Sequence, residues 1–359
     1  KLHIPPVRSS LVPRQRLIEK LNQGLGGKLT LVSASAGFGK TTLLGEWAGG
    51  CDYPVSWLAL DENDNDPVRF VQYLIAALQQ VDGKIGLGVS GFLRTGQLLP
   101  PSSPITALIN DVAGLADPFF LVLDDYHAIH EDWIHEAVEY LLDHAPSQMH
   151  LVLATRHDPP LSLPRLRVRD HLVELRENDL RFTPDEATAF LNQALGLRLD
   201  PQIVNALETR TEGWIAGLQL AALSMGSRPE EGIGDFVAAF GGSHRHVIDY
   251  LADEVLAQQP AEIQSFLQQT SILERLTAPL CEALTGRDDS AAILRRLEQS
   301  ILFLVPLDDR RAWYRYHQLF AEFLRTDLDE ASQAGLHLRA ARWFESQGLW
   351  PESVHHALA

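Results

Sequence analysis

The sequence has few cysteines, few basic residues for its acid content, and no long apolar run. Cys51 and Cys281 are its two cysteines and lie far apart, which does not favour a disulfide framework and makes a reducing cytoplasm the expected location. No apolar run approaches the ~20 residues of a membrane span. Lysine and arginine number 30 against 47 acidic residues, so the net charge is −17. Such a chain repels the nucleic-acid backbone and is not expected to grip DNA itself.

Length and composition indicate a globular protein with more than one core. The chain has 359 residues, of which 45% are hydrophobic and 21% charged. This length predicts two or three domains. The chain begins at Lys1, with neither an initiator methionine nor a secretory segment, and we interpret it as a trimmed piece of a longer protein.

A glycine-rich stretch, Ala34-Ser-Ala-Gly-Phe-Gly-Lys-Thr41, follows the apolar run Leu29–Ser33 and precedes a helical pattern. This is the setting of a phosphate loop, in which backbone N–H groups and a helix N-terminus face the phosphates. A lysine there reaches the β- and γ-phosphates, and the next hydroxyl holds Mg²⁺. The alternative is a chance Gly-Lys-Thr turn. The predicted nucleotide contacts are Ala36, Gly37, Phe38, Gly39, Lys40, Thr41 and Thr42, with Thr41 also a Mg²⁺ ligand.

Short apolar runs alternate with helical patterns in the first half of the chain. Strands are predicted at 29–33, 55–60, 119–123, 150–154 and 171–175. Alternation of this kind is typical of a parallel sheet covered by helices on both faces, with ligands at the carboxyl ends of the strands. We therefore predict one α/β nucleotide-binding domain over 1–175, the P-loop NTPase fold class.

The β pattern fades after residue 176, and the remainder is predicted to be mostly α-helical. Thr183-Pro-Asp-Glu186 is a capping box that begins a helical domain over 176–228. After a glycine-rich break that includes Gly232, helices followed by a hairpin of 301–305 and 312–316 predict a winged-helix domain over 229–335. Residues 336–359 resemble one helix–turn–helix, the start of tetratricopeptide-like repeats.

Two acids follow the predicted strand at 119–123. Asp124 is placed to contact Mg²⁺, and Asp125 to orient the attacking water. Arg156, after the strand at 150–154, is placed to reach the γ-phosphate. The alternatives are that the two acids cap the following helix and that Arg156 is a surface arginine. The predicted catalytic residues are Lys40, Asp125 and Arg156.

Two further patterns allow simpler interpretations. Arg165, Arg167 and Arg169 alternate after Pro164 and are compatible with a basic edge strand, although three charges make a poor nucleic-acid footprint. His355 and His356 are adjacent, without further metal ligands near them in sequence, and we expect solvated helix positions there.

Several motifs, taken in order, resemble one family, the nucleotide-binding regulators of the MalT type. These are STAND-class signalling ATPases, also described as large ATP-binding regulators with a LuxR-type DNA-binding end. The resemblance covers essentially the whole chain. The motifs are Val12-Pro-Arg14, Ser33 to Thr42, Trp57-Leu-Ala-Leu-Asp61, Leu121 to Tyr126, Ala154-Thr-Arg156, Leu180-Arg-Phe-Thr183, Glu212-Gly-Trp214 and Tyr314-Arg-Tyr-His317.

The resemblance implies a slow regulatory ATPase that works as a switch. ADP would hold a closed monomer, whereas ATP together with an inducer at a sensor outside this chain would favour a self-assembling form. DNA would be bound only through a missing C-terminal domain, and no membrane contact is implied. The competing functions are an ATP-dependent turnover enzyme, such as a phosphotransferase, and an ADP-plugged scaffold that never hydrolyses.

The resemblance also assigns roles to residues. Val12 and Arg14 match the arm that borders the adenine, and Asp124 matches the Mg²⁺ acid. His317 matches the winged-helix histidine that reads the β-phosphate of ADP; the alternative is a core histidine. The family's aspartate after that histidine is Gln318 here, and Gly217-Leu-Gln219 replaces Gly-Leu-Pro.

Overall fold

A computed structural model describes residues 1–6, 11–89, 100–225, 233–300, 302–308 and 310–359. The chain forms two compact units. The first comprises Lys1–Ala34 and Phe38–Leu180, and the second comprises Ser35–Gly37 and Arg181–Ala359. Three residues of the glycine-rich stretch therefore belong to the second unit. The finer division into four domains stays a prediction.

The first unit is built on a five-stranded parallel sheet. Its strands are β1 Leu29–Ser33, β2 Val55–Ala59, β3 Phe119–Asp124, β4 Met149–Thr155 and β5 Leu172–Arg176. They lie in the order β2-β3-β4-β1-β5. Strands β1, β3 and β4 are buried along their whole length, as expected for apolar runs covered on both faces. Each predicted strand is confirmed to within one residue at either end.

Helices connect these strands, and turn chemistry sets where one of them begins. Asp66 accepts a hydrogen bond from the backbone N–H of Arg69, and Pro67 occupies the first helical position. Before this helix, Asp61 caps the short turn Glu62–Asn65. The helices of the unit are Gln15–Asn22, Lys40–Gly49, Pro67–Leu78, Ser102–Ala113, Asp132–His144, Leu163–Val168 and Glu177–Leu180.

The arginine-rich segment is a helix, so the edge-strand interpretation is wrong. Pro164 lies in the first turn of Leu163–Val168, where its missing N–H costs no hydrogen bond. Arg165 donates to Glu139 at 2.8 Å, and Arg167 donates to Glu174 at 2.8 and 2.9 Å. These arginines are bound by carboxylates of the same unit.

The described part of the second unit is mainly helical and contains one hairpin. The capping box at Thr183 and Glu186 is confirmed. The hairpin pairs β6 Leu304–Pro306 with β7 Tyr314–Tyr316 and is shorter than predicted; Ile301, Asp309 and Gly232 lie outside the described residues. The helices are Pro184–Thr188, Pro201–Thr211, Ile215–Met225, Ile233–Ala239, Arg245–Leu251, Ala261–Thr270, Ala278–Thr285, Ser290–Gln299, Gln318–Arg325, Glu330–Ser346 and Trp350–Leu358, with π-helical turns at Ala189–Ala194 and Ala252–Leu256.

The last two helices form the predicted helix–turn–helix, but one histidine there was placed wrongly. His356 is buried rather than solvated, and its ring stacks on Phe344 at 5.4 Å between centroids. Its Nδ1 lies 2.9 Å from Nδ1 of His337 on the preceding helix. Helical spacing sets His356 on the same inward face as Ser353, whereas His355 is exposed.

Within the described ranges, none of the helices combines the length and apolarity that crossing a membrane requires.

Candidate phosphate-binding site

The loop after β1 adopts the backbone that a phosphate cradle requires. Gly37 and Gly39 have φ of +80° and +74°, values that glycine reaches without steric cost. The helix begins at Lys40, inside the glycine-rich stretch that was predicted to precede it. Thr41 and Thr42 therefore lie in its first turn, where backbone N–H groups lack intrahelical partners and favour anions.

Thr41 and Asp124 meet at the carboxyl end of the sheet. The Thr41 hydroxyl donates to Asp124 Oδ1 at 3.1 Å, and the backbone N–H of Asp125 donates to the same oxygen at 3.0 Å. Asp124 is the last residue of β3 and is 2% exposed. A hydroxyl and a carboxylate oxygen are ligands that Mg²⁺ takes readily, so this pair fits the predicted ion.

Burial shifts the pKa values of Lys40 and Asp124. Burial, followed by the nearby Arg156 charge, lowers the pKa of Lys40 to about 8. Burial, followed by the neighbouring Asp125, raises the pKa of Asp124 to about 6. The Lys40 ammonium donates to the carbonyl of Ala34 at 2.7 Å. Shifts of this kind, in a cluster at a sheet edge, are typical of functional sites.

Asp125 and Arg156 lie at the ends of neighbouring strands. Asp125 has φ of +55° and precedes the short turn Tyr126–Ala128, and its side chain makes no capping bond to that turn in the described structure. The simple capping interpretation therefore does not describe Asp125. Arg156 follows β4, and its charge acts on Lys40. The catalytic roles of Lys40, Asp125 and Arg156 stay predictions.

His127 was not identified from the sequence and lies beside Asp125. Its Nδ1 is 3.8 Å from Asp125 Oδ1. Burial, followed by the charges of Arg156 and Lys40, lowers the pKa of His127 to about 3, which keeps the ring neutral. The sequence offered one signal for His127: it lies three residues after Asp124, close to the predicted end of a strand.

The predicted adenine-bordering arm is buried in the first unit. Val12 is 7% exposed and Arg14 is 4% exposed. The Arg14 guanidinium donates to the carbonyl of Leu180 at 2.6 Å, which fixes the start of the Gln15–Asn22 helix against the end of the unit. Contact of Val12 or Arg14 with adenine stays a prediction.

His317 lies in the core of the second unit. Its Nε2 donates to the Thr211 carbonyl at 2.9 Å, and burial lowers its pKa to about 4. Among the described residues, its buried Nδ1 makes no hydrogen bond. In the neutral ring Nδ1 accepts and does not donate, so contact with a phosphate oxygen would need the charged imidazolium. Its role as a phosphate reader stays a prediction.

Comparison with known proteins agrees with these features. Residues 252–336 match the MalT winged helix domain. The whole chain aligns with HTH-type transcriptional regulators MalT, at 38% identity in Serratia proteamaculans (strain 568) and 36% in Klebsiella pneumoniae (strain 342). The chain spans 40% of the length of each of these relatives.

A solved structure shares the fold. The Walker-type ATPase PABY2304 of Pyrococcus abyssi superposes with a TM-score of 0.64 and 14% identity, covering 90% of this chain and 99% of that one. The P-loop NTPase fold class is thereby confirmed. The predicted resemblance is confirmed as well: along its whole length the chain is similar to the MalT-type transcription regulators, and residues 252–336 are similar to their winged helix domain.

Proposed function

We propose that this chain is the nucleotide-dependent switch of a transcription regulator, which binds ATP or ADP with Mg²⁺ and hydrolyses ATP slowly. The proposal rests on one observation: the Thr41 hydroxyl donates to Asp124 at 3.1 Å, at the carboxyl end of the sheet. Thr41 directly follows the buried Lys40 in the sequence. This is the combination that seats a triphosphate in P-loop proteins.

The residues divide the chemistry among themselves. Lys40 and the N–H groups of the first helical turn would bind the β- and γ-phosphates. Thr41 and Asp124 would hold Mg²⁺, which supplies positive charge to the phosphate oxygens when bound. Asp125 would orient the attacking water, and Arg156 would contact the γ-phosphate and so distinguish ATP from ADP.

A switch works only if its two states differ in their affinity for the nucleotide. The γ-phosphate can shift the balance by no more than its differential binding free energy, so the two forms must be close to balance without it. In this proposal ADP favours a closed monomer, ATP favours self-assembly, and an inducer and DNA act through parts of the protein outside this chain. The site of action would be the cytoplasm.

The test measures the mass of the particles that the chain forms, by size-exclusion chromatography with light scattering. The chain is mixed with Mg²⁺ and either ADP or a non-hydrolysable ATP analogue. We expect a monomer with ADP and larger particles with the analogue. Asp125→Asn should abolish hydrolysis while keeping or enhancing assembly with ATP. Asp170→Asn is the matched control, because Asp170 is exposed and shares the left-handed backbone of Asp125, with φ of +57°.

Three outcomes would contradict the proposal. Fast turnover that depends on a second substrate would indicate a turnover enzyme. Bound ADP that never exchanges, with no hydrolysis by the wild-type chain, would indicate a plugged scaffold. An identical size with both nucleotides, in the whole protein with its inducer as well as in this chain, would exclude assembly driven by ATP.

A further inference from the structure

Trp214 binds the backbone of the glycine-rich loop within the second unit. Its indole Nε1 donates to the carbonyl of Ala36 at 3.0 Å, and its side chain is fully buried. The ring lies edge-on to Tyr250, Phe303 and His317, with centroids 5.6, 5.3 and 6.0 Å away. Aromatic side chains thus hold the indole in one orientation on three sides.

A second donor binds the next carbonyl of the same loop. The backbone N–H of Ala216, in the first turn of Ile215–Met225, donates to the carbonyl of Gly37 at 3.0 Å. The approach is close, because a Cβ on Gly37 would lie 2.6 Å from Ala216 Cβ and 2.7 Å from Trp214 Nε1. Gly37 is therefore required for this approach as well as for its positive φ.

These two bonds fix the direction of two N–H groups. In a planar trans peptide, the C=O of one residue and the N–H of the next point in opposite directions. With the Ala36 carbonyl held by Trp214, the N–H of Gly37 points away from the indole. With the Gly37 carbonyl held by Ala216, the N–H of Phe38 points away from that helix. Both N–H groups belong to the stretch predicted to cradle the phosphates.

We propose that Trp214 and the N–H of Ala216 are positioning groups that orient the N–H donors of Gly37 and Phe38 toward an anionic phosphate. The proposal rests on the proposed nucleotide-binding function. It predicts that nucleotide affinity depends on hydrogen bonds from two residues that do not themselves touch the nucleotide. The ring of His317 packs against the same indole.

The test compares two tryptophan substitutions by titration with a fluorescent ADP analogue and Mg²⁺. Trp214→Phe keeps a ring but removes the N–H, and we expect about tenfold weaker binding, the effect of losing one buried hydrogen bond. Trp57→Phe is the matched control. Trp57 is also fully buried, but its Nε1 makes no hydrogen bond to the described residues, so we expect unchanged affinity.

Ala216→Pro supplies an independent variant: it removes the second donor, and its ring carbon would displace the Gly37 carbonyl that the N–H holds at 3.0 Å. The helix itself accepts proline there, since three other helices of the chain have proline as their second residue. We expect weaker binding again, from a chain that still unfolds cooperatively in the absence of nucleotide. If Trp214→Phe does not fold, Ala216→Pro still tests the proposal, and weaker nucleotide binding remains the expected result.

The results separate this proposal from the proposed function. Wild-type affinity in Trp214→Phe and in Ala216→Pro would overturn the positioning role while leaving nucleotide binding intact. A wild-type chain that does not bind the ADP analogue would overturn both. Equal weakening in Trp214→Phe and Trp57→Phe would show that loss of indole packing, rather than the hydrogen bond, is responsible, and would overturn the proposal too.

Discussion

Lys40 in the first unit and Glu212 in the second are both largely buried, yet the protein disfavours the charged form of Lys40 and favours that of Glu212. Burial lowers the pKa of Lys40 to about 8, which disfavours its charge. Glu212 experiences the same opposing effect of burial, but its hydrogen bonds and the surrounding positive charges outweigh it and lower its pKa to about 2. The neighbours of each group therefore decide the direction of the shift.

The contacts of Glu212 explain its low pKa. Arg315 donates to both carboxylate oxygens, at 2.8 and 2.7 Å, and Arg181 adds a bond of 3.2 Å. The backbone N–H of Gln318 donates at 3.0 Å. Glu212 thus joins the end of the Pro201–Thr211 helix to the hairpin and to the start of Gln318–Arg325. Glu212 therefore belongs to a structural ion-pair cluster whose charges are already paired. Lys40 belongs to a site where an anionic ligand would supply the opposite charge.

The largest expected effect concerns Lys40. Lys40→Ala should weaken binding of ADP and ATP by about a hundredfold or more, because a buried ammonium that would contact two phosphates is removed. Calorimetric titration measures the change. Lys84→Ala, at an exposed lysine, is the control and should bind as the wild type does. Equal affinity of Lys40→Ala and wild type would contradict the assignment of the loop.

The next effect concerns Glu212. Glu212→Gln should lower the free energy of unfolding by about 2 kcal/mol at neutral pH, since Arg315 and Arg181 lose their charged partner. Because the pKa of Glu212 is lowered from 4.5 to about 2, the stabilisation is present above pH 4.5 and is lost as the pH falls toward 2. Urea unfolding at several pH values measures this.

The control for that comparison is Glu345→Gln, at an exposed helical position. It should leave the unfolding free energy unchanged within error. A Glu212→Gln variant as stable as this control at pH 7 would show that the cluster contributes nothing to stability.

A smaller effect concerns the last helix pair. Burial, followed by the charges of His337 and His355, lowers the pKa of His356 from 6.5 to about 4. The unfolded chain therefore binds more protons in this range, and stability falls as the pH drops from 6.5 toward 4. His356→Phe, which keeps the stacking on Phe344, should remove about 1 kcal/mol of this pH dependence.

Circular dichroism during thermal unfolding at pH 7 and pH 4.5 checks this expectation. His355→Gln, at the exposed neighbouring residue, should retain the wild-type pH dependence. If His356→Phe and His355→Gln lose stability equally between the two pH values, the contact of the buried His356 with the half-buried His337 is not the source.

The local parts of the fold were predictable because each depends on a few consecutive residues. Apolar runs of five or six residues located the five strands of the sheet in the first unit, and Asp124 was identified because it follows such a run. The glycine and lysine spacing identified the loop. A capping residue and the proline after it located the helix start at Thr183 and Pro184.

The missed features depend on contacts between distant residues. The bond from Trp214 to Ala36 spans 178 positions, and the bonds from Arg315 to Glu212 span 103, so no spacing rule reaches them. His356 was expected in solvent because the sequence does not show that His337 on the preceding helix faces it. The arginine alternation suggested a strand although Pro164 favoured a helix start.

The most direct test of the central claim is a calorimetric titration of the unmodified chain with ADP, with Mg²⁺ present and then with the metal chelated. The loop, Lys40 and the pair Thr41 and Asp124 predict saturable binding of one nucleotide per chain that weakens when Mg²⁺ is removed. No detectable binding of ADP or ATP at millimolar concentration by the folded chain would contradict the account.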